Sequence, residues 1–159
     1  MMTAGKSGGR PVILVAEDNE DEAALFLLAC EKENLGVHFR LVKDGQEAVD
    51  YLLGKPPYDD RRQHPLPKLL ITDLSMPRVN GFELLQWLQH APGFHRLPAI
   101  VLTNSDDPAD KELAARLGAT KYFVKPIGLV RLREIIHLIC QEWLGVPAVS
   151  QQQQREVAA

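Results

Sequence analysis

The chain has few cysteines: two in 159 residues, Cys30 and Cys140. Two thiols do not make the disulfide framework of a small secreted domain. Each lies in an apolar helical pattern, so both are expected to be small core hydrophobes. No apolar run approaches the ~20 residues a membrane-spanning helix needs. Residues 1–10 are small and polar, with no apolar signal core, which predicts a cytoplasmic protein. A net charge of -3 gives no global attraction to nucleic acid or to an anionic membrane, and no partner of either kind is expected. The five histidines, His38, His64, His90, His95 and His137, have no metal-ligand spacing and read as incidental.

What is present is an ordinary globular composition, 45% apolar and 25% charged, at a length sufficient for one core. Short apolar runs alternate with amphipathic stretches. Val12 to Ala16 reads as a strand buried on both faces. Asn19 to Asn34 follows as a helix carrying Leu25, Leu28, Phe26 and Cys30 at helical spacing, with Glu20, Asp21 and Glu22 suiting its positive end. His38 to Val42 is a strand nearer a sheet edge, and Gly45 to Leu53 a short helix. Lys68 to Thr72, Ala99 to Thr103 and Tyr122 to Val124 are the remaining strands. Gly81 to His90, Pro108 to Leu117 and Leu129 to Leu144 are the remaining helices. Five repeats of strand then helix predict a doubly wound parallel sheet with helices on both faces. The predicted domain spans residues 11–144. The ends, 1–10 and 145–159, are expected to be flexible and leave no room for a second folded output domain. The proline-rich stretch 54–67 exceeds a usual connection and reads as a surface insertion, with a partner-contacting loop as the alternative.

The chemistry gathers at strand ends. Asp73 closes the third strand, Glu17 and Asp18 follow the first, Thr103 ends the fourth and Lys125 follows the fifth. In a parallel sheet that edge is where ligands bind. Converging carboxylates suit a hard cation such as Mg²⁺. An Asp carboxylate can attack phosphorus to give an acyl phosphate, and a metal and a lysine neutralise the charge of that transfer. Each residue alone is a weak signal. Their ordered occurrence at four strand ends is strong.

These elements carry a resemblance. Val15-Ala16-Glu17-Asp18-Asn19, Asp73-Leu74-Ser75-Met76-Pro77 with Gly81, Leu102-Thr103-Asn104-Ser105 and Tyr122-Phe123-Val124-Lys125-Pro126 together resemble a receiver domain of a two-component response regulator over about residues 11–144. The resemblance implies a CheY-like, flavodoxin-like fold with strand order 2-1-3-4-5. It implies that Asp73 accepts a phosphoryl group from a sensor histidine kinase. Asp18, Asp73 and the Ser75 carbonyl would ligate Mg²⁺, with Glu17 acting through water. Lys125 and Thr103 would contact the phosphoryl group, Thr103 and Tyr122 would form a switch pair, and the Lys125–Pro126 bond would be cis. Such a protein is no enzyme beyond its own phosphorylation and dephosphorylation. The proline-rich insertion and the Leu-Thr-Asn-Ser element are similar to stand-alone regulators paired with bacterial phytochromes, which implies a phytochrome-type kinase.

Asn104 departs from the small residue found there in many receivers. With Ser75 and Ser105 it predicts a slowly hydrolysing phosphoryl group. On the last helix, Leu129, Leu132, Ile135, Ile136, Ile139, Cys140 and Trp143 share a face, while Val130 and Leu138 lie outside it. A homodimer through the fourth helix, fifth strand and fifth helix is expected, as receivers commonly use. A phosphorelay intermediate is the alternative. A haloacid-dehalogenase-type phosphatase also uses an Asp nucleophile, but it wants an acid two residues later, where this chain has Ser75.

Overall fold

The structure, a computed structural model, describes residues 9–147. In chain order the elements are β1 (Val12–Ala16), α1 (Glu20–Glu33), β2 (His38–Val42), α2 (Gly45–Leu53), β3 (Leu69–Thr72), α3 (Gly81–His90), β4 (Ala99–Thr103), α4 (Pro108–Arg116), β5 (Lys121–Val124) and α5 (Leu129–Leu144). The strands form one parallel sheet in the order β2-β1-β3-β4-β5. The three inner strands are apolar throughout, apart from a terminal threonine on β3 and on β4, and buried throughout. The edge strands β2 and β5 are partly exposed. That division follows from helices covering both faces of the sheet.

Strand residues alternate between two cores. Leu14, Ala16, Leu70 and Val101 pack with α2 and α3 on one face. Ile13, Val15, Ile71 and Leu102 pack with α1 and α5 on the other. On α5 the expected stripe is buried at Leu132, Ile135, Ile136, Ile139 and Cys140, and Val130 and Leu138 stay exposed. On α1 the buried face is Phe26, Ala29 and Cys30, whereas Leu25 and Leu28 are exposed. Their leucine spacing belongs to the outer side of the helix, a correction to the sequence pattern. Both cysteines are buried free thiols.

The insertion 54–67 is tied down. The Arg61 guanidinium donates to the Tyr51, Leu52 and His64 carbonyls at 2.8, 2.7 and 3.2 Å, satisfying the end of α2. His64 stands edge-on to Tyr51 and Tyr58. His137 is also structural, with Nδ1 3.1 Å from Glu33 and Nε2 3.1 Å from the Pro147 carbonyl. Neither histidine is incidental to the packing. The Lys125–Pro126 bond is not cis; among the described residues the cis bond is Pro56–Pro57. The predicted flexible ends fall mostly outside the described residues, including the glutamine run 151–154.

Candidate functional site

The sheet ladder holds the backbone of each strand-end residue. The Glu17 N–H donates to Val42 O at 3.0 Å, Asp73 N–H to Ala16 O at 3.1 Å and Lys125 N–H to Thr103 O at 2.6 Å. These are the last rungs between β1 and β2, β3 and β1, and β5 and β4. The register that pairs Ala16 with both Val42 and Thr72 therefore sets Glu17 beside Asp73. Gly81 presses the start of α3 against the same place. A Cβ there would lie 2.1 Å from the Asp73 carbonyl oxygen and 2.7 Å from Leu74 Cα, so only glycine fits.

Side chains converge on the Lys125 ammonium. Its Nζ donates to Glu17 Oε2 and to Asp73 Oδ2, both at 2.6 Å, and also to Glu22 Oε2. The lysine side chain is 11% exposed, and those of Glu17 and Asp73 are each 8% exposed. Burial opposes the ammonium charge, but the hydrogen bonds it donates to Asp73, Glu17 and Glu22 outweigh it and hold Lys125 above its ordinary value. Burial pushes Glu17 up to about 7, against the pull of Lys125 and of the Asn19 amide. The other Asp73 oxygen, Oδ1, accepts from the Leu74 N–H at 2.6 Å.

The donor set is compatible with a divalent cation. One carboxylate oxygen each from Glu17, Asp18 and Asp73 lies within 4.8 Å of the others, and Asp18 faces solvent. Three oxygen donors at that separation repel one another and match a hard divalent ion. A groove of about 410 Å³ opens beside Asp73, lined in part by Ser75, Asn80, Thr103, Asn104 and Ser105. Thr103 is 3% exposed. The Tyr122 hydroxyl donates to Ser105 O at 2.8 Å, so its side chain already touches the β4–α4 loop. On the opposite flank a cavity of about 110 Å³ is lined by Glu22, Leu25, Phe26, Lys125 and Leu132 among others.

Every strand-end residue expected at the site thus borders one edge of the sheet. Glu22 was missed as a site residue. Its place at the start of α1 suits the helix dipole, and that ordinary role hid its contact with Lys125. Asn104 lines the groove beside Asp73, and its Nδ2 donates to Glu22 Oε1 at 3.0 Å. Asp44 was also missed. Its buried carboxylate caps α2 through the Glu47 N–H and holds Arg78 at 2.8 Å, which fixes the β3–α3 loop from below.

Fold and strand-end site together define a CheY-like signalling module. Residues 13–137 match the Response regulator receiver domain family, and the chain belongs to it. Its structural neighbours include phytochrome-associated regulators. Response regulator RPA3017, in red light signalling of R. palustris, aligns with a TM-score of 0.80 at 27% identity, over 87% of this chain and 99% of that one. The phosphorylated cyanobacterial phytochrome response regulator RcpA aligns with a TM-score of 0.77 at 27% identity, over 87% and 99%. Response regulator Rcp1 of Synechocystis sp. is 27% identical over 133 residues, 84% of this chain and 88% of its own. Its Mn²⁺-bound form aligns with a TM-score of 0.74, over 87% of this chain and 99% of that one. Among the described residues no helix is long and apolar enough to cross a membrane.

Proposed function

We propose that Asp73 accepts a phosphoryl group from a phosphohistidine of a sensor histidine kinase, and that the kinase is of the phytochrome type. An Asp73 carboxylate oxygen bonds to phosphorus, the phosphorus–nitrogen bond breaks, and the imidazole leaves with the electron pair and takes up a proton. Asp18, Asp73 and the Ser75 carbonyl, with Glu17 through water, would hold Mg²⁺, which would supply charge neutralisation. Lys125 turns its ammonium to one phosphoryl oxygen as a point charge. The Thr103 hydroxyl donates to another, and Tyr122 follows Thr103 as its switch partner. The acyl phosphate so formed changes which protein surface is presented. A homodimer through the α4–β5–α5 face is part of this reading, which the exposed Leu113, Val124 and Val130 favour.

One observation carries the proposal: Lys125 reaches Asp73 Oδ2 at 2.6 Å while the acidic oxygens of Glu17 and Asp18 lie within 4.8 Å of that carboxylate. Acceptor, countercharge and metal donors are therefore preorganised around one carboxylate. The test is incubation with candidate phosphorylated kinases, comparing wild type with Asp73→Asn. Label in the wild type alone is expected, and kinase preference then names the pathway. Equal label in the variant overturns the assignment.

A further inference from the structure

Asn19-Glu20-Asp21-Glu22 has the spacing of a capping box. In that motif the N-cap side chain takes the amide three residues on, and the third carboxylate returns to the N-cap amide. Asn80 and Glu83 complete the exchange at α3. At α1 only half forms. Asn19 Oδ1 accepts from the Glu22 N–H at 3.0 Å, but the Asn19 N–H donates to Glu17 Oε1 at 3.1 Å. The Glu22 carboxylate is instead turned into the site, with Oε2 on Lys125 and Oε1 accepting from Asn104 Nδ2. A local rule set aside next to a site marks function.

We infer that Glu22 is a positioning residue, which seats the Lys125 ammonium against Asp73 and, through Asn104, ties the first turn of α1 to the β4–α4 loop. The inference rests on the phosphoacceptor reading of Asp73. An ammonium has three donors, and Glu17, Glu22 and Asp73 take all of them. When Asp73 carries a phosphoryl group, Lys125 must give a donor to a phosphoryl oxygen. Asp73 then loses its charge as an acceptor, and Glu17 serves the metal side. Glu22 has neither duty and is the carboxylate that holds the flexible lysine stem through the transfer. Its side chain is 34% exposed against 11% for Lys125, so it covers the ammonium from the solvent side. Asn104 fixes the carboxylate that does this, across the mouth of the site.

Two measurements test this on the full chain. The first is labelling by a small acyl phosphate in Mg²⁺, as a function of donor concentration, in wild type, Glu22→Gln, Asn104→Ala and the double variant. Replacing a charge-assisted bond by a neutral one is expected to lower the limiting rate roughly ten-fold in Glu22→Gln. The half-saturating donor concentration stays unchanged. Asn104→Ala lowers the rate less, and adds nothing once Glu22 is changed. The second is NMR of the Lys125 ammonium, whose protons exchange slowly in wild type and are lost to fast exchange in Glu22→Gln. A limiting rate that rises, as relief of repulsion toward the donor would give, overturns the inference, as do additive effects of the two substitutions. An ammonium signal unchanged in Glu22→Gln does the same. A wild type that takes no label overturns the reading of Asp73, and the ammonium signal alone then decides the role of Glu22.

Discussion

Lys125→Met keeps the length of the side chain and removes its charge. Glu17 and Asp73, each 8% exposed at the side chain, are then left facing Glu22 without the ammonium between them. Two carboxylate oxygens 4.8 Å apart, the upper limit among Glu17, Asp18 and Asp73, repel by about 3.5 kcal/mol at an effective dielectric constant of about 20. Uptake of a proton relieves part of this, and Glu17, already pushed up to about 7, is the group to take it. Removing one partner of a buried ion pair costs about 3–5 kcal/mol. With a urea slope of about 2 kcal/mol/M that is a midpoint lowered by about 2 M. On the proposed function, Mg²⁺ binds the folded site of both proteins and not the unfolded chain, adding about 2.7 kcal/mol at a hundred times its Kd, and it binds the variant more tightly because no ammonium repels the cation there. Urea titrations with Mg²⁺ and with a chelator should therefore show a large deficit without metal that narrows with it. A deficit below about 1 kcal/mol in chelator, or one that Mg²⁺ leaves unchanged, refutes the placement of Lys125 as countercharge to this cluster.

Asp44→Ala removes the buried cap of α2 and should cost about 1–2 kcal/mol by urea unfolding, with Asp44→Asn recovering most of it; equal losses in both would shift the cause to the Arg78 pair. The thiols should resist labelling in the native protein. Burial, with Glu33 nearby, pushes Cys140 up to about 12, and burial and then Cys140 raise Cys30. Both stay protonated at pH 8, so labelling should proceed at the rate of unfolding; fast labelling of either contradicts the burial. The raised thiols also mean that stability falls as pH climbs from the ordinary thiol range toward 12, because the unfolded chain ionises first. If Leu138 belongs to the proposed dimer interface, Leu138→Asp should reduce a dimeric mass to a monomeric one by light scattering; an unchanged mass removes Leu138 from it.

Much of the fold was legible because strand and helix periods differ so plainly here. Val12 to Ala16 and Ala99 to Leu102 are continuous apolar runs, and both proved to lie in inner strands. The α5 stripe at Leu132, Ile135, Ile136 and Ile139 emerged as drawn. The α1 face did not, because Leu25 and Leu28 share the spacing of Phe26 and Cys30 and side-chain type alone cannot say which side meets the sheet. The strand-end carboxylates and Lys125 were readable since strand ends have a defined place in a parallel sheet. Glu22 and Asp44 were not. Each satisfies a helix-start rule in its own segment, and a partner 103 or 34 residues away leaves no trace in a local pattern. The same holds for His64 and His137, whose partners are brought by tertiary packing.

The site draws on two parts of the sheet with unequal anchoring. Asp73 and Glu17 follow β3 and β1, which have a paired strand on either side. Lys125 follows β5, which is bonded on one side only and has exposed residues at both ends. Opening the inner strands requires global unfolding, whereas an outer strand yields to smaller, local fluctuations. On the proposed function, the covalent mark would be written at the end of an inner strand, and the charge that reads it would hang from an edge strand. A phosphoryl group that drew on Lys125 would load the edge strand β5 and the turn into α5 before it loaded β3.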